Sequence, residues 1–204
     1  MYCRPKKEVF DGKYVILEKL NSEKHLDDLF ENSNLNDDQH SIFTYLPYGP
    51  FKTKDDLKVW LLSQEKITDR VIYSVYSKRI GKFVGMSSII NIDEKVGRAE
   101  IGSIWYGKLA QRTEINTEAT YLLLQYLLGE LHYRRIEWKC DNDNSASRKA
   151  AERFGFEYEG LFRKHMLVKN KNRDTAWFSI IDDEWDEKKK HFENTLIKPY
   201  QPGI

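Results

Sequence analysis

The sequence predicts one α+β domain with a mixed, mainly antiparallel central sheet flanked by helices. Three observations carry this. Strand-like runs at 71–76, 82–92 and 98–106 follow one another across turn signals at 78–81 and 93–97, the pattern of an antiparallel meander. Helix-period segments stand before and after the meander, the order expected of an α+β chain. The 204 residues contain no internal repeat or low-complexity segment and suffice to bury one core.

Taken in order, 14–17 is a β-rich run behind Asp11-Gly12, and 22–30 places Leu26, Leu29 and Phe30 at helical spacing behind a Ser22 cap. From 32 to 54 the chain is polar, then aromatic and proline-punctuated, and a connection of this length reads as a binding-site loop. Phe43, Tyr45 and Tyr48 are its candidate substrate-binding residues, with Asp37 and Asp38 favouring a cationic amine. The alternative is a loop that packs its own aromatics as a lid. Residues 53–67 read as a helix, with a Thr53 cap and Asp55 and Asp56 suited to its first turn. After the meander, 116–131 is an amphipathic helix, 134–140 a buried strand and 144–154 a short helix. Two strands, 156–168 and 175–181, close the core around a polar turn at 169–173. The core thus spans about 13–181, and the charged stretch 182–204 reads as a solvated helix or frayed end.

Composition narrows the function. Lys and Arg number 33 against 32 Asp and Glu, so no global basic field points to nucleic acid. Cys3 and Cys140 have no CxxC or Cys/His partner, and His25, His40, His132, His165 and His191 show no ligand spacing, so no metal is expected. Cys140 ends an apolar strand and reads as a small buried hydrophobe; Trp105, Trp138 and Trp177 fall in strands and read as core. No apolar run approaches the ~20 residues of a membrane span, and the first residues carry no apolar signal core, so a cytoplasmic protein, monomer or homodimer, is expected.

Three segments carry a resemblance to a known family. They are Ala99-Glu100-Ile101-Gly102-Ser103-Ile104-Trp105-Tyr106, Gln111-Arg112-Thr113-Glu114-Ile115-Asn116-Thr117-Glu118-Ala119, and Asp143-Asn144-Ser145-Ala146-Ser147 running on to Phe154-Gly155-Phe156. With the Tyr45-Leu46-Pro47 loop they resemble the GCN5-related N-acetyltransferase (GNAT) superfamily, especially its ribosomal-protein N-acetyltransferase branch. The resemblance implies acetyl-CoA as co-substrate and an amine acceptor, either a protein N-terminus or a small molecule. It implies a splay after the first segment that opens a slot for the pantetheine arm, with backbone N–H groups of Ile104, Trp105 and Tyr106 facing it. It assigns the pyrophosphate to Gln111, Arg112, Thr113, Glu114, Ile115, Asn116 and Thr117. A helix N-terminus suits that task because it offers unpaired N–H groups and the positive end of the dipole.

The same resemblance makes Glu100 the proton acceptor, Ser147 the donor to the CoA sulfur, and Asn144 a contact for the pantetheine arm. Each has a local alternative: Glu100 as a cross-strand partner of Arg98 or a lysine, Asn144 and Ser147 as helix caps. The chain departs from the family in three places. Glu114 stands where glycine is usual and Asn116 where glycine or alanine is, with Glu114 expected to turn to solvent beside Arg112, and Ala151 stands where many members carry a tyrosine acid. An alternative reading keeps the fold as a catalytically silent CoA-binding or interaction module.

Overall fold

A computed structural model describes residues 1–34 and 42–197; Asp37, Asp38 and His40, and the tail beyond 197, lie outside the described residues. The chain begins with β1 (Val9–Asp11), β2 (Val15–Lys19) and α1 (Ser22–Asn34), and continues after the loop with α2 (Lys54–Glu65). The meander is β3 (Val71–Ser77), β4 (Lys82–Asp93) and β5 (Arg98–Tyr106). Then come α3 (Glu114–Leu124), β6 (Arg135–Asp141), α4 (Ser145–Arg153), the hairpin β7 (Glu157–Val168) and β8 (Lys171–Ile181), and α5 (Trp185–Ile197).

Among the described residues, eight strands form one sheet in the order β1-β2-β3-β4-β5-β6-β8-β7. Every neighbouring pair is antiparallel except β5 with β6. Helices cover both faces, which is why β3 is buried at six of its seven positions instead of alternating. Side-chain period still sorts the strand: Ile72 joins the core of Leu29, Leu57, Leu61, Met86 and Trp105, while Tyr73 and Val75 join that of Leu123, Leu127 and Phe178. Helix α2 starts where its sequence directs, with Thr53 and Asp56 forming a reciprocal capping box.

Four boundaries differ from the sequence reading. β1 was not anticipated, because three residues are too few to show a period. Helix α3 starts two residues earlier, at Glu114, and the six residues that follow it, Gln125–Glu130, continue as a π-helix. The turn between β7 and β8 is only Lys169 and Asn170, both with positive φ of 49° and 63°, so β8 starts at Lys171. The stretch expected as a solvated tail docks instead: in α5, Trp185 and Phe192 are buried against Tyr121 and Phe154. Two large apolar residues seven apart suffice to seat two turns of a helix that is charged elsewhere.

Candidate active site

The expected splay is present. β5 and β6 pair only at Arg98 with Arg135, Ala99 with Ile136 and Glu100 with Glu137, and beyond that point no partners remain. The opening is sharpened by a bulge on β5, where the register against β4 shifts and Ser103 has a φ of 51°. A cleft follows the gap, lined by Glu100, Gly102, Ser103, Ile104, Trp105 and Tyr106 on one side and by Trp138, Lys139, Cys140, Asn144 and Ser147 on the other.

Glu100 sits at the fork, 5% exposed. Its Oε2 accepts hydrogen bonds from the Asn91 amide at 2.7 Å and from the Lys139 ammonium at 2.9 Å. The lysine alternative is therefore realised, with Lys139 and not Arg98 as the partner. A side chain at Gly102 would place its Cβ 3.0 Å from Glu100 Oε1, so glycine there leaves the carboxylate room. Asn91 has a φ of 50°, a left-handed conformation that asparagine tolerates well, at the irregularity between Ile90 and Asp93 on β4.

Across the gap, the Ser147 hydroxyl accepts the Trp138 indole N–H at 3.0 Å, and the Asn144 side chain accepts the Ser147 backbone N–H at 3.0 Å as cap of α4. Asn144 thus meets its local alternative as a cap, whereas the Ser147 hydroxyl caps nothing and is held by Trp138; both line the cleft. Ala151 is wholly buried in the core. Burial pushes the Cys140 thiol up despite a hydrogen bond with Ser147, which leaves it poorly suited to act as a nucleophile.

At the far end of the cleft, Arg112 takes a left-handed φ of 57° and Thr113 caps α3. Thr113 Oγ1 accepts from Ile115 N–H at 3.3 Å and donates to the Ala110 carbonyl at 2.7 Å. Helix geometry leaves the N–H groups of Glu114 and Asn116 without intrahelical acceptors. Gln111 ties the loop back by donating from Nε2 to the Tyr106 carbonyl at 2.9 Å. Three site expectations change. Glu114 does not turn to solvent beside Arg112; its side chain is 9% exposed and faces Arg79 Nε at 3.5 Å. Ile115 is wholly buried and points into the core, its N–H spent on the cap. Phe43 is 1% exposed, wedged between Phe51, Trp105 and Tyr48, and does not wall the cleft.

The other loop aromatics do reach the cleft. Tyr45 donates to the Asp143 carbonyl at 3.1 Å, and the Tyr48 hydroxyl lies 2.7 Å from Ser103 Oγ, so the loop spans from the β5 bulge to the approach of α4. Lys169 from the β7–β8 turn holds it from a third side, donating to the Phe43 carbonyl at 2.7 Å. The packing of Phe43 and these ties give the loop the character of a roof. Burial pushes the Tyr48 phenol up and the Lys169 ammonium down.

Sequence reasoning missed Lys139, Asn91, Glu137 and Arg79. Arg135, Glu137 and Lys139 do alternate along a strand, so they share one face, but only the β5–β6 register brings that face to Glu100. Among the described residues, no group of three or more His, Cys, Asp or Glu side chains is placed to hold a metal, and no helix is long and apolar enough to cross a membrane.

The family profile described as Acetyltransferase (GNAT) domain matches residues 15–157, and the chain belongs to this family. A GCN5-related N-acetyltransferase from Brucella melitensis superposes with a TM-score of 0.92 at 44% identity, covering 95% of this chain and 87% of that one. YdaF of Bacillus subtilis (strain 168), provisionally named a ribosomal N-acetyltransferase, is 33% identical over 109 residues, 53% of this chain and 59% of YdaF. The uncharacterized N-acetyltransferase p20 of Bacillus licheniformis is 30% identical over 113 residues, 55% of this chain and 63% of p20. These matches span about six-tenths of the curated relatives' own lengths. Family membership implies acetyl transfer as the class of chemistry.

Proposed function

We propose that this protein transfers an acetyl group from acetyl-CoA to a primary amine by direct attack within a ternary complex. The observation that carries the reading is the early end of the β5–β6 pairing at Glu100 and Glu137, which leaves a slot with a buried carboxylate at its fork. The residues present fit the donor. The first turn of α3 offers N–H groups to a pyrophosphate, Arg112, Lys149 and Arg153 line the cleft, and Arg79 offsets the carboxylate of Glu114. The pantetheine arm would lie between β5 and β6, past Asn144 and Ser147.

An amine attacks a thioester only when neutral, so the reaction needs a proton acceptor and donors for the developing oxyanion. Glu100 is assigned the first task, directly or through a water. Backbone N–H groups near the Ser103 bulge, between Ile104 and Tyr106, are assigned the second. Ser147 is assigned to hydrogen-bond the departing sulfur. In the structure its hydroxyl accepts from Trp138 and hydrogen-bonds the Cys140 thiol, so its proton would turn from that sulfur to the departing one. Tyr45 and Tyr48 would wall the acceptor side. The name of YdaF makes ribosomal proteins the first acceptors to try, followed by polyamines, amino acids and amino sugars.

The test is calorimetric titration with acetyl-CoA, repeated with desulfo-CoA and with Asn116→Trp, followed by an acceptor panel. Micromolar binding that the tryptophan abolishes, together with turnover of at least one amine, is expected. Binding without transfer to any amine would favour a silent CoA-binding module, and no binding would end the reading.

A further inference from the structure

Lys139 does not belong to Glu100 alone. Its ammonium lies 2.9 Å from Glu100 Oε2 and 2.7 Å from Glu137 Oε2, so one cation is shared by two buried carboxylates, 5% and 2% exposed. The Trp177 ring lies 4.1 Å from the same ammonium and completes its enclosure. Glu137 is in turn held by Arg135 Nε at 2.9 Å and faces Arg98 at 3.8 Å. Burial alone would raise the Glu137 carboxyl, but hydrogen bonds from Lys139 and Arg135 outweigh it and hold it below the usual carboxylate range. Glu137 is therefore an anion at neutral pH.

Other charged groups gather around this pair from β4, β5 and β7. Asp93 lies 3.7 Å from Arg98, and Glu159 takes both terminal nitrogens of Arg135 at 2.6 and 2.5 Å. Asn91 supplies Glu100 with a neutral donor. Arg135 thus has two acidic partners and Lys139 has two, whereas Glu100 receives only its share of one lysine. A carboxylate fully neutralised by a lysine is a weak proton acceptor, and one left alone in a buried slot would hold its proton at rest. Sharing lies between these extremes.

We infer that Glu137 is a positioning residue that draws Lys139 partly away from Glu100 and so keeps the Glu100 carboxylate basic enough to take the amine proton. The inference rests on Glu100 as proton acceptor, and it makes Glu137 and Lys139 opposing controls on one group. Removing the anion with Glu137→Gln hands Lys139 wholly to Glu100, so the acid limb of the pH–rate profile moves to lower pH, by on the order of one unit, and kcat falls more than KM changes. Removing the cation with Lys139→Met leaves two buried carboxylates facing each other, and the same limb moves to higher pH.

Melting curves and acetyl-CoA titrations come first, to establish that both variants fold and bind donor. Profiles are then measured with an acceptor found in the panel. In parallel, the Glu100 carboxyl is titrated by NMR in protein carrying carboxyl-labelled glutamate, its resonance assigned by its loss in Glu100→Gln. Displacements of opposite sign in the two variants, in the rates and in the titration, are the expected result. A Glu100 titration unmoved by Glu137→Gln, or moved in the same direction by both substitutions, overturns the inference. Opposite displacements in the titration with an unchanged rate profile would leave the sharing in place and remove Glu100 as the base.

Discussion

Glu118 of α3 serves the fold through hydrogen bonds. Its carboxylate accepts the backbone N–H groups of Lys13, Tyr14 and Val15 at 2.7, 2.6 and 2.8 Å, tying the β1–β2 turn to the helix. A Cβ at Gly12 would lie 2.7 Å from that carboxylate, so only glycine permits the approach. Glu118→Gln replaces one acceptor oxygen with a donor, and a loss of about 1–3 kcal/mol is expected, read as a lower urea midpoint at unchanged slope. His25 sets a pH dependence of a different kind. Burial holds its imidazole below the ordinary value of about 6.5, although the nearby Glu18 pulls it up. The unfolded chain then takes the proton first, so this contribution is complete above that ordinary value and declines as the pH falls below it. Glu18 and Glu137 are held low instead, and their contribution is lost only in the carboxylate range further down. His25→Gln should flatten the fall in melting temperature between about pH 7 and 5; an equal fall in the variant would assign that acid sensitivity to other groups.

At the scale of elements, α5 was the part least legible in the sequence. Seven of its thirteen residues are charged or histidine, and neither propensity nor period distinguishes a docked helix from a solvated one there. What decides is a place to dock, which Tyr121 and Phe154 provide only after folding. Phe192 is 1% exposed and stacks on Phe154 at 5.7 Å. Phe192→Ala is expected to cost about 3–5 kcal/mol by chemical denaturation; a cost below about 1 kcal/mol would return α5 to the status of a frayed tail. Helix α2 is the opposite case. Thr53, Asp55 and Asp56 announce its start locally, and the structure places the cap where they indicate. The β7–β8 turn lies between the two: its polar stretch was evident, but the tight pairing came from two residues accepting positive φ.

For the whole molecule, the slot opens at the parallel strand pair of the sheet. β5 and β6 run parallel in a sheet that is otherwise antiparallel, and they separate after three residue pairs. One end of the cleft is then the start of α3, which the proposed function assigns to the donor, and its other side is roofed by the loop that Tyr45, Tyr48 and Lys169 pin. A ligand seated across these elements should stabilise all of them together. At about one hundred times Kd, acetyl-CoA would add about 2.7 kcal/mol, or roughly 5–10 °C in melting temperature for a chain of this size. The increment should vanish in Asn116→Trp, and an increment that survives there would place the donor elsewhere on the protein.

By itself the sequence determined the order and type of most elements and the family likeness, because hydrophobic period, turn residues and caps act over a few neighbours. It also singled out Glu100, Asn144 and Ser147, which lie together along the cleft. Only the tertiary structure decided that Lys139 is shared by Glu100 and Glu137, that Arg79 and not Arg112 faces Glu114, and that Phe43 and Ile115 belong to the core. Each of those outcomes depends on strand register or on the path of a loop between distant segments. Register sets which side chains meet across a sheet, and no local pattern in one strand reveals what lies on its neighbour.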